Sequence, residues 1–291
     1  MRRLTLLLLA LTLTACPGGG PPADALDKVR ARGKLIVAMD VGYDPFEVLD
    51  PDSGQPVGYD VDLVKAFAED LGVEVEFKNV AWNSIVGVLQ TGKADVIVSG
   101  MSVTPERQKT IDFSTPYYYV GQVVVKRKGD GRIQSLADLN HEGMIVAVQE
   151  STTGEQAVRK EAPQAELLRF AKTDMACMAV IQNKADAVVF DRPYLVKYVR
   201  DQRPDELEGI WEPFTAEAIA AAFRKDSGLL RRAFDETIAR LDASGALDQM
   251  VAKHFGDDAV ATQRAKRAKR AEPPTQAPAE TPREQPAESG Q

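Results

Sequence analysis

Residues 94–107 read Ala94-Asp95-Val96-Ile97-Val98-Ser99-Gly100-Met101-Ser102-Val103-Thr104-Pro105-Glu106-Arg107. The apolar run of residues 94–98 has the pattern of a strand buried on both faces, which parallel sheets require. At Ser99 it gives way to hydroxyls, a glycine and a guanidinium. Upstream, Trp82 to Gln90 has helical spacing and ends at Thr91-Gly92. The order helix, buried strand, polar loop is one unit of an open α/β sheet, whose ligands gather at the carboxyl ends of the strands.

The unit repeats in both directions. Lys34 to Met39 and Val73 to Phe77 read as strands, with a helix from Asp60 whose Val64, Phe67, Ala68 and Leu71 share one face before Gly72 stops it. After Pro116 a second series follows. It has strands at 122–125, 144–148, 167–170 and 187–190, a helix from Thr153, and another over 174–182. Ala218 to Phe223 reads as a strand and 229–241 and 247–255 as closing helices. Two βα series with a returning C-terminal segment predict two lobes between which the chain crosses twice.

Composition agrees and excludes much. In 291 residues, 44% are hydrophobic, 27% charged and 7% aromatic, as in folded globular proteins. Lys plus Arg number 36 against 43 Asp plus Glu, and a net charge of −7 argues against nucleic acid as partner. Two His and two Cys leave little for a metal centre or a disulfide framework, and no cofactor is expected.

The N-terminus carries an address. Met1-Arg2-Arg3 precedes an apolar run from Leu4 to Leu13, so residues 1–15 read as a signal peptide. Leu13-Thr14-Ala15-Cys16 resembles a bacterial lipobox, which implies a lipidated Cys16 and, with the Gly/Pro stretch to residue 23, a membrane tether. Cys177 then has no disulfide partner and reads as a small buried hydrophobe. Residues 257–291, with the basic run Arg264 to Arg270 and then a Pro-rich stretch, read as a disordered, solvated tail.

The loops after the strands hold the chemistry. Asp40 and Tyr43 follow the first strand, Ser99 to Arg107 the strand at 94–98, Gln149 to Glu155 the strand at 144–148, and Asp191 the strand at 187–190. One guanidinium, one carboxylate, hydroxyls and two aromatics, Tyr43 and Trp82, suit a zwitterion. Arg107 can hold a carboxylate through paired N–H bonds, Thr153 lies where a helix begins, and Asp191 can accept from an ammonium. Each also has a structural reading: Arg107 pairing with Glu106 or Asp112, Thr153 or Asp191 capping a helix, Trp82 in the core.

Tyr43-Asp44-Pro45-Phe46, Val57 to Leu63, Ser99 to Arg107, Asp112 to Tyr117 and Val148 to Glu155 together resemble the family 3 extracellular solute-binding proteins, the polar amino acid receptors of ABC importers. The resemblance runs from about residue 24 to 256. It implies a two-lobed, type II periplasmic-binding-protein-like fold with a two-strand hinge. Lobe 1 would be 24–120 with 215–256, and lobe 2 would be 121–214.

It further implies a monomeric, periplasmic or cell-surface receptor that closes on an amino acid and delivers it to a permease. Arg107 and Thr153 would take the α-carboxylate, and Ser102, Asp191 and the backbone of Gly100 the α-ammonium. Tyr43 and Trp82 would flank the side chain, and Asp40, Ser99 and Gln149 would meet its far end. Ser151 departs from the family, where glycine is usual. An acidic Asp40 favours Arg, Lys and His, then Gln. The residues leave open a sensor docking on a membrane signalling protein, and a dehydratase or lyase. Catalysis would need a general acid without a ligand role, and neither His141 nor His254 lies near a motif.

Overall fold

The computed structural model describes residues 24–271. The signal peptide, Cys16 with its lipidation, the tether and the tail beyond 271 lie outside them.

Asp24 starts the first described helix by accepting from the Leu26 N–H at 2.9 Å, and Gly33 at φ 68° ends it. From there the chain runs α1 (Ala25–Arg32), β1 (Lys34–Met39), β2 (Val48–Leu49), β3 (Pro56–Val57), α2 (Tyr59–Leu71) and β4 (Glu74–Asn79). It continues with α3 (Trp82–Gln90), β5 (Val96–Ile97), α4 (Pro105–Gln108), β6 (Asp112–Phe113) and β7 (Tyr118–Val120). The second series is β8 (Gln122–Arg127), β9 (Ile145–Gln149), α5 (Thr153–Glu161), β10 (Glu166–Phe170), α6 (Thr173–Ile181), β11 (Ala187–Asp191), α7 (Arg192–Gln202) and β12 (Leu207–Ile210). The chain returns through β13 (Glu217–Ile219) and β14 (Ala222–Phe223) to α8 (Gly228–Ala243), α9 (Ala246–Phe255) and α10 (Asp257–Ala271).

Two five-stranded sheets result, ordered β4-β1-β5-β14-β6 and β10-β9-β11-β8-β12. Each has a parallel half built from βα units and an antiparallel half, where the sequence pattern alone predicts parallel strands. The antiparallel members are the strands through which the chain enters or leaves a lobe. Since β14 lies between β5 and β6, the returning chain completes the first sheet. β7 and β13 pair antiparallel, Tyr118 opposite Ile219 and Val120 opposite Glu217, and form the two-strand hinge.

Ala218 to Phe223 is therefore not one strand. It breaks at Ala220 and Ala221, which leave the hinge pair to donate to the Met101 carbonyl and to Ser114 Oγ. Apolar side chains face both sides of each sheet. Leu35, Val37, Phe67, Phe223 and Phe234 are fully buried in the first lobe, and Val123, Val188, Leu195 and Cys177 in the second.

Residues 257–271 correct the disordered-tail expectation: they form α10, packed on α9 and β7. Good helix formers supply the propensity. The basic run is partly spent on acids of its neighbours. Arg267, 3% exposed, pairs with Asp242 at 3.0 Å and with Asp248, and Arg264 Nε donates to Asp248 at 2.8 Å. Gln263, also buried, brackets the hinge: its Oε1 accepts from the Tyr119 N–H at 2.9 Å and its Nε2 donates to the Tyr119 carbonyl at 2.8 Å.

Candidate functional site

A cavity lies between the lobes. All ten ligand-binding residues expected from sequence line it: Asp40, Tyr43, Trp82, Ser99, Gly100, Ser102, Arg107, Gln149, Thr153 and Asp191. They come from the carboxyl ends of β1, β5, β9 and β11 and from α3, α4 and α5.

Arg107 has neither of the acidic partners open to it in sequence. Glu106 pairs with Lys109, and Asp112 with Lys225 at 2.7 Å. Its guanidinium donates to the carbonyls of Ser102 at 2.8 Å and Ser151 at 3.3 Å and lies 5.1 Å from the Trp82 ring centroid. Burial draws it below the usual arginine range, with Glu217 and Asp191 opposing. Among the described residues no carboxylate forms a salt bridge with it, so it is free to take one from a ligand.

Thr153 stands at the first turn of α5, but Thr152 is the N-cap, accepting from the Glu155 N–H and donating to the Gln149 carbonyl at 2.8 Å. That leaves Thr153 facing the cavity beside helix N–H groups that favour an anion. Ser151, in the glycine place of the motif, has φ 62°, the left-handed conformation glycine adopts freely. Its N–H is held by Glu155 Oε2 at 2.7 Å, and its carbonyl receives Trp82 Nε1 at 3.0 Å.

Asp191 ends β11 and makes no side-chain cap to α7. Its carboxylate accepts from Gln122 Nε2 at 2.6 Å and from the Tyr43 hydroxyl. Burial, then the Glu217 carboxylate, push it up to about 7, against Tyr43, Gln122 and Arg107. A buried acid so raised gains from an approaching ammonium. Ser102 Oγ donates to Glu217 at 2.6 Å, which ties this end of the cavity to the hinge strand β13. Gly100, at φ 50°, gives its N–H to Asp60 at 2.6 Å, so only its carbonyl can accept from an ammonium. A Cβ there would lie 2.1 Å from the Tyr43 ring, which is why no larger residue fits.

The two aromatics line the cavity, each with a protein partner: Tyr43 stacks on Phe46 at 4.6 Å, and Trp82 lies beside the Arg107 guanidinium. At the far end, Ser99 Oγ donates to Glu47 and receives the Asp40 N–H at 2.9 Å. Asp40 differs from the sequence expectation of an open acid. Lys172 and Gln149 of the second lobe both donate to it, Gln149 at 3.2 Å. Burial nonetheless holds its carboxyl above the usual range.

Sequence reasoning missed Glu47, Thr152 and Phe190 in the lining, and Gln122, Lys172 and Glu217 behind it. Glu47 follows the Tyr43-to-Phe46 motif directly, a signal that was available; Lys172, in a loop with no motif, gave none. Glu47 and Asp60 are fully buried, and burial raises both, Asp60 to about 7. Among the described residues no cluster of His, Cys, Asp or Glu has metal-binding geometry.

The profile described as bacterial extracellular solute-binding proteins, family 3, matches residues 35–257. A probable histidine-binding protein of Neisseria gonorrhoeae is 31% identical over 255 residues, 86% of this chain and 92% of that one. An ancestral arginine-binding protein with bound arginine superimposes with TM-score 0.73 at 36% identity, covering 77% of this chain and 99% of the other. An ancestral amino acid-binding protein, precursor of cyclohexadienyl dehydratase, gives TM-score 0.74 at 37% identity, over 80% and 100%.

Proposed function

The chain belongs to the bacterial extracellular solute-binding proteins of family 3, and on that basis we propose that it closes on one polar α-amino acid outside the cytoplasm and delivers it to an ABC permease. The observation that carries this reading is the placement, on opposite walls of one cavity, of a half-buried guanidinium that has no acidic partner among the described residues, Arg107, and of a buried carboxyl raised to about 7, Asp191. Arg107 and the α5 N-terminus hold the α-carboxylate. Asp191, Ser102 and the Gly100 carbonyl hold the α-ammonium. Tyr43 and Trp82 flank the side chain, and Asp40, Ser99 and Gln149 meet its end.

Ligand contacts divide between lobes limited to 24–120 with 215–256 and to 121–214, so the full set exists only when the cleft is shut. Binding therefore favours closure through differential contacts. The shut cleft also gains protein–protein bonds, such as Asn83 Nδ2 to Glu150 Oε1 at 2.7 Å, which stabilise the closed state together with the ligand. The bound arginine of one neighbour and the name of the histidine-binding relative support basic ligands first; glutamine ranks second. Binding without catalysis is favoured because the matched family and relatives are described as binding proteins. Among the described residues no helix is long and apolar enough to cross a membrane, and a lipid at Cys16 would supply the anchor of a monomeric receptor.

A thermal-shift panel of all twenty amino acids, on protein unfolded and refolded to strip bound ligand, tests the reading. At a hundredfold excess over Kd, a ligand stabilises by about 2.7 kcal/mol. A shift with one or a few polar amino acids is expected; no shift with any would refute it.

A further inference from the structure

The far end of the cavity adjoins a second chamber of about 140 Å³, lined by Asp40, Gly42, Gln149, Lys172, Thr173 and Tyr194 among others. Asp40 and Gln149 belong to both chambers and Lys172 to the second alone. Lys172 is the residue before α6. From there it crosses the cleft and places Nζ 2.5 Å from Asp40 Oδ1 and 2.9 Å from the Val41 carbonyl.

The other Asp40 oxygen accepts from Gln149, whose amide orientation is set by the Thr173 hydroxyl on its Oε1 at 2.8 Å. Both oxygens of the acid that would meet the ligand's side chain are thus served from the opposite lobe. A ligand cation reaching Asp40 has to displace the Lys172 ammonium or stand beside it.

We propose that Lys172 is a specificity-determining residue, which neutralises Asp40 and so admits side-chain ends that both donate and accept, a primary amide or a ureido group, alongside cations. The inference rests on the amino acid reading of the cleft. An ammonium has three N–H donors, and two are used here, on Asp40 and the Val41 carbonyl. The third is available to a carbonyl oxygen of the ligand. A guanidinium offers donors only, and its charge gains from Asp40 only as far as Lys172 withdraws. The Lys172 side chain is 35% exposed, so it can swing into the second chamber when a cation enters, at a cost that lowers the preference for cations.

L-arginine and L-citrulline have the same length and differ at the far end in charge, so their Kd values, measured by titration calorimetry on the refolded protein, read this residue directly. With Lys172 present, the two should bind within about tenfold of each other. Lys172→Met should tighten arginine and weaken citrulline, widening the ratio at least about tenfold, which is about 1.4 kcal/mol. Lys172→Arg, which keeps the charge, should leave the ratio within about threefold. An unchanged ratio in Lys172→Met, with both ligands bound, overturns the inference and leaves the receptor reading standing. If the unaltered protein binds neither of these nor glutamine but responds to another amino acid, the inference is overturned; if it responds to none of the twenty, the receptor reading falls and takes the inference with it.

Discussion

The cleft and α10 are held by the same kind of interaction, buried polar groups meeting across elements, yet the groups do opposite work. In α10 every named charge is answered within the protein: Arg267 and Arg264 by Asp242 and Asp248, and the Gln263 amide by the Tyr119 backbone. In the cleft, Arg107 has no carboxylate and Asp191 no cation within salt-bridge distance among the described residues, although both are largely enclosed. Charges answered by opposite charges within the protein fix a structure; opposite charges left without such a partner mark where a ligand completes it.

The sharpest way to break that contrast is Arg107→Met. Losing the carboxylate clamp should weaken the amino acid about a hundredfold by calorimetry. The melting temperature without ligand should stay within a few degrees, since no internal ion pair is lost. A large drop in stability with little change in Kd would place Arg107 with α10 rather than with the ligand.

Titration with pH gives the next largest effect. Asp191 and Asp60 hold their protons to about 7, whereas in the unfolded chain they lose them near the usual value of about 4. Between those values the native state binds more protons, so stability without ligand should fall as pH rises from about 4 to about 7 and level off above. Affinity should move the other way. The ammonium needs an ionised Asp191, so Kd should weaken up to about tenfold for each pH unit below 7. Thermal melts and calorimetry at pH 5, 6, 7 and 8 test both slopes. Parallel slopes would remove Asp191 from the ammonium site.

What sequence could show follows the same division. The ten cavity residues were legible because each sits just after a strand or in a short motif, where backbone topology forces convergence. β1, α3, α5 and β11 were equally plain in their periodicity. Lys172 was not, because its loop has no motif and its partner, Asp40, is distant in sequence. Nor was α10, whose composition is that of a solvated tail. Its order comes from Asp242 and Asp248 on α8 and α9, which no local pattern announces. The break after β13 was hidden because Ala218 to Phe223 is uniformly apolar while its backbone changes sheets.

A smaller effect sharpens the α10 side. Gln263→Ala removes both bonds to Tyr119 and should cost about 1–3 kcal/mol, read as a lower urea midpoint. Kd should change less than about threefold, because no cavity residue is touched. The smallest effect is expected at Ser151, where glycine would relieve a left-handed conformation. Ser151→Gly should gain about 1 kcal/mol of stability, with ligand affinity unchanged. A loss instead would mean that the Ser151 side chain contributes to the loop that receives Trp82 and Arg107.

The central claim is that a single amino acid bridges the two lobes, so that binding and closure are one event. Small-angle X-ray scattering of the refolded protein, with and without the amino acid that the thermal panel selects, tests it most directly. A smaller radius of gyration is expected with ligand, and no such change in Arg107→Met at the same ligand concentration. Tight binding by calorimetry with an unchanged radius would contradict it.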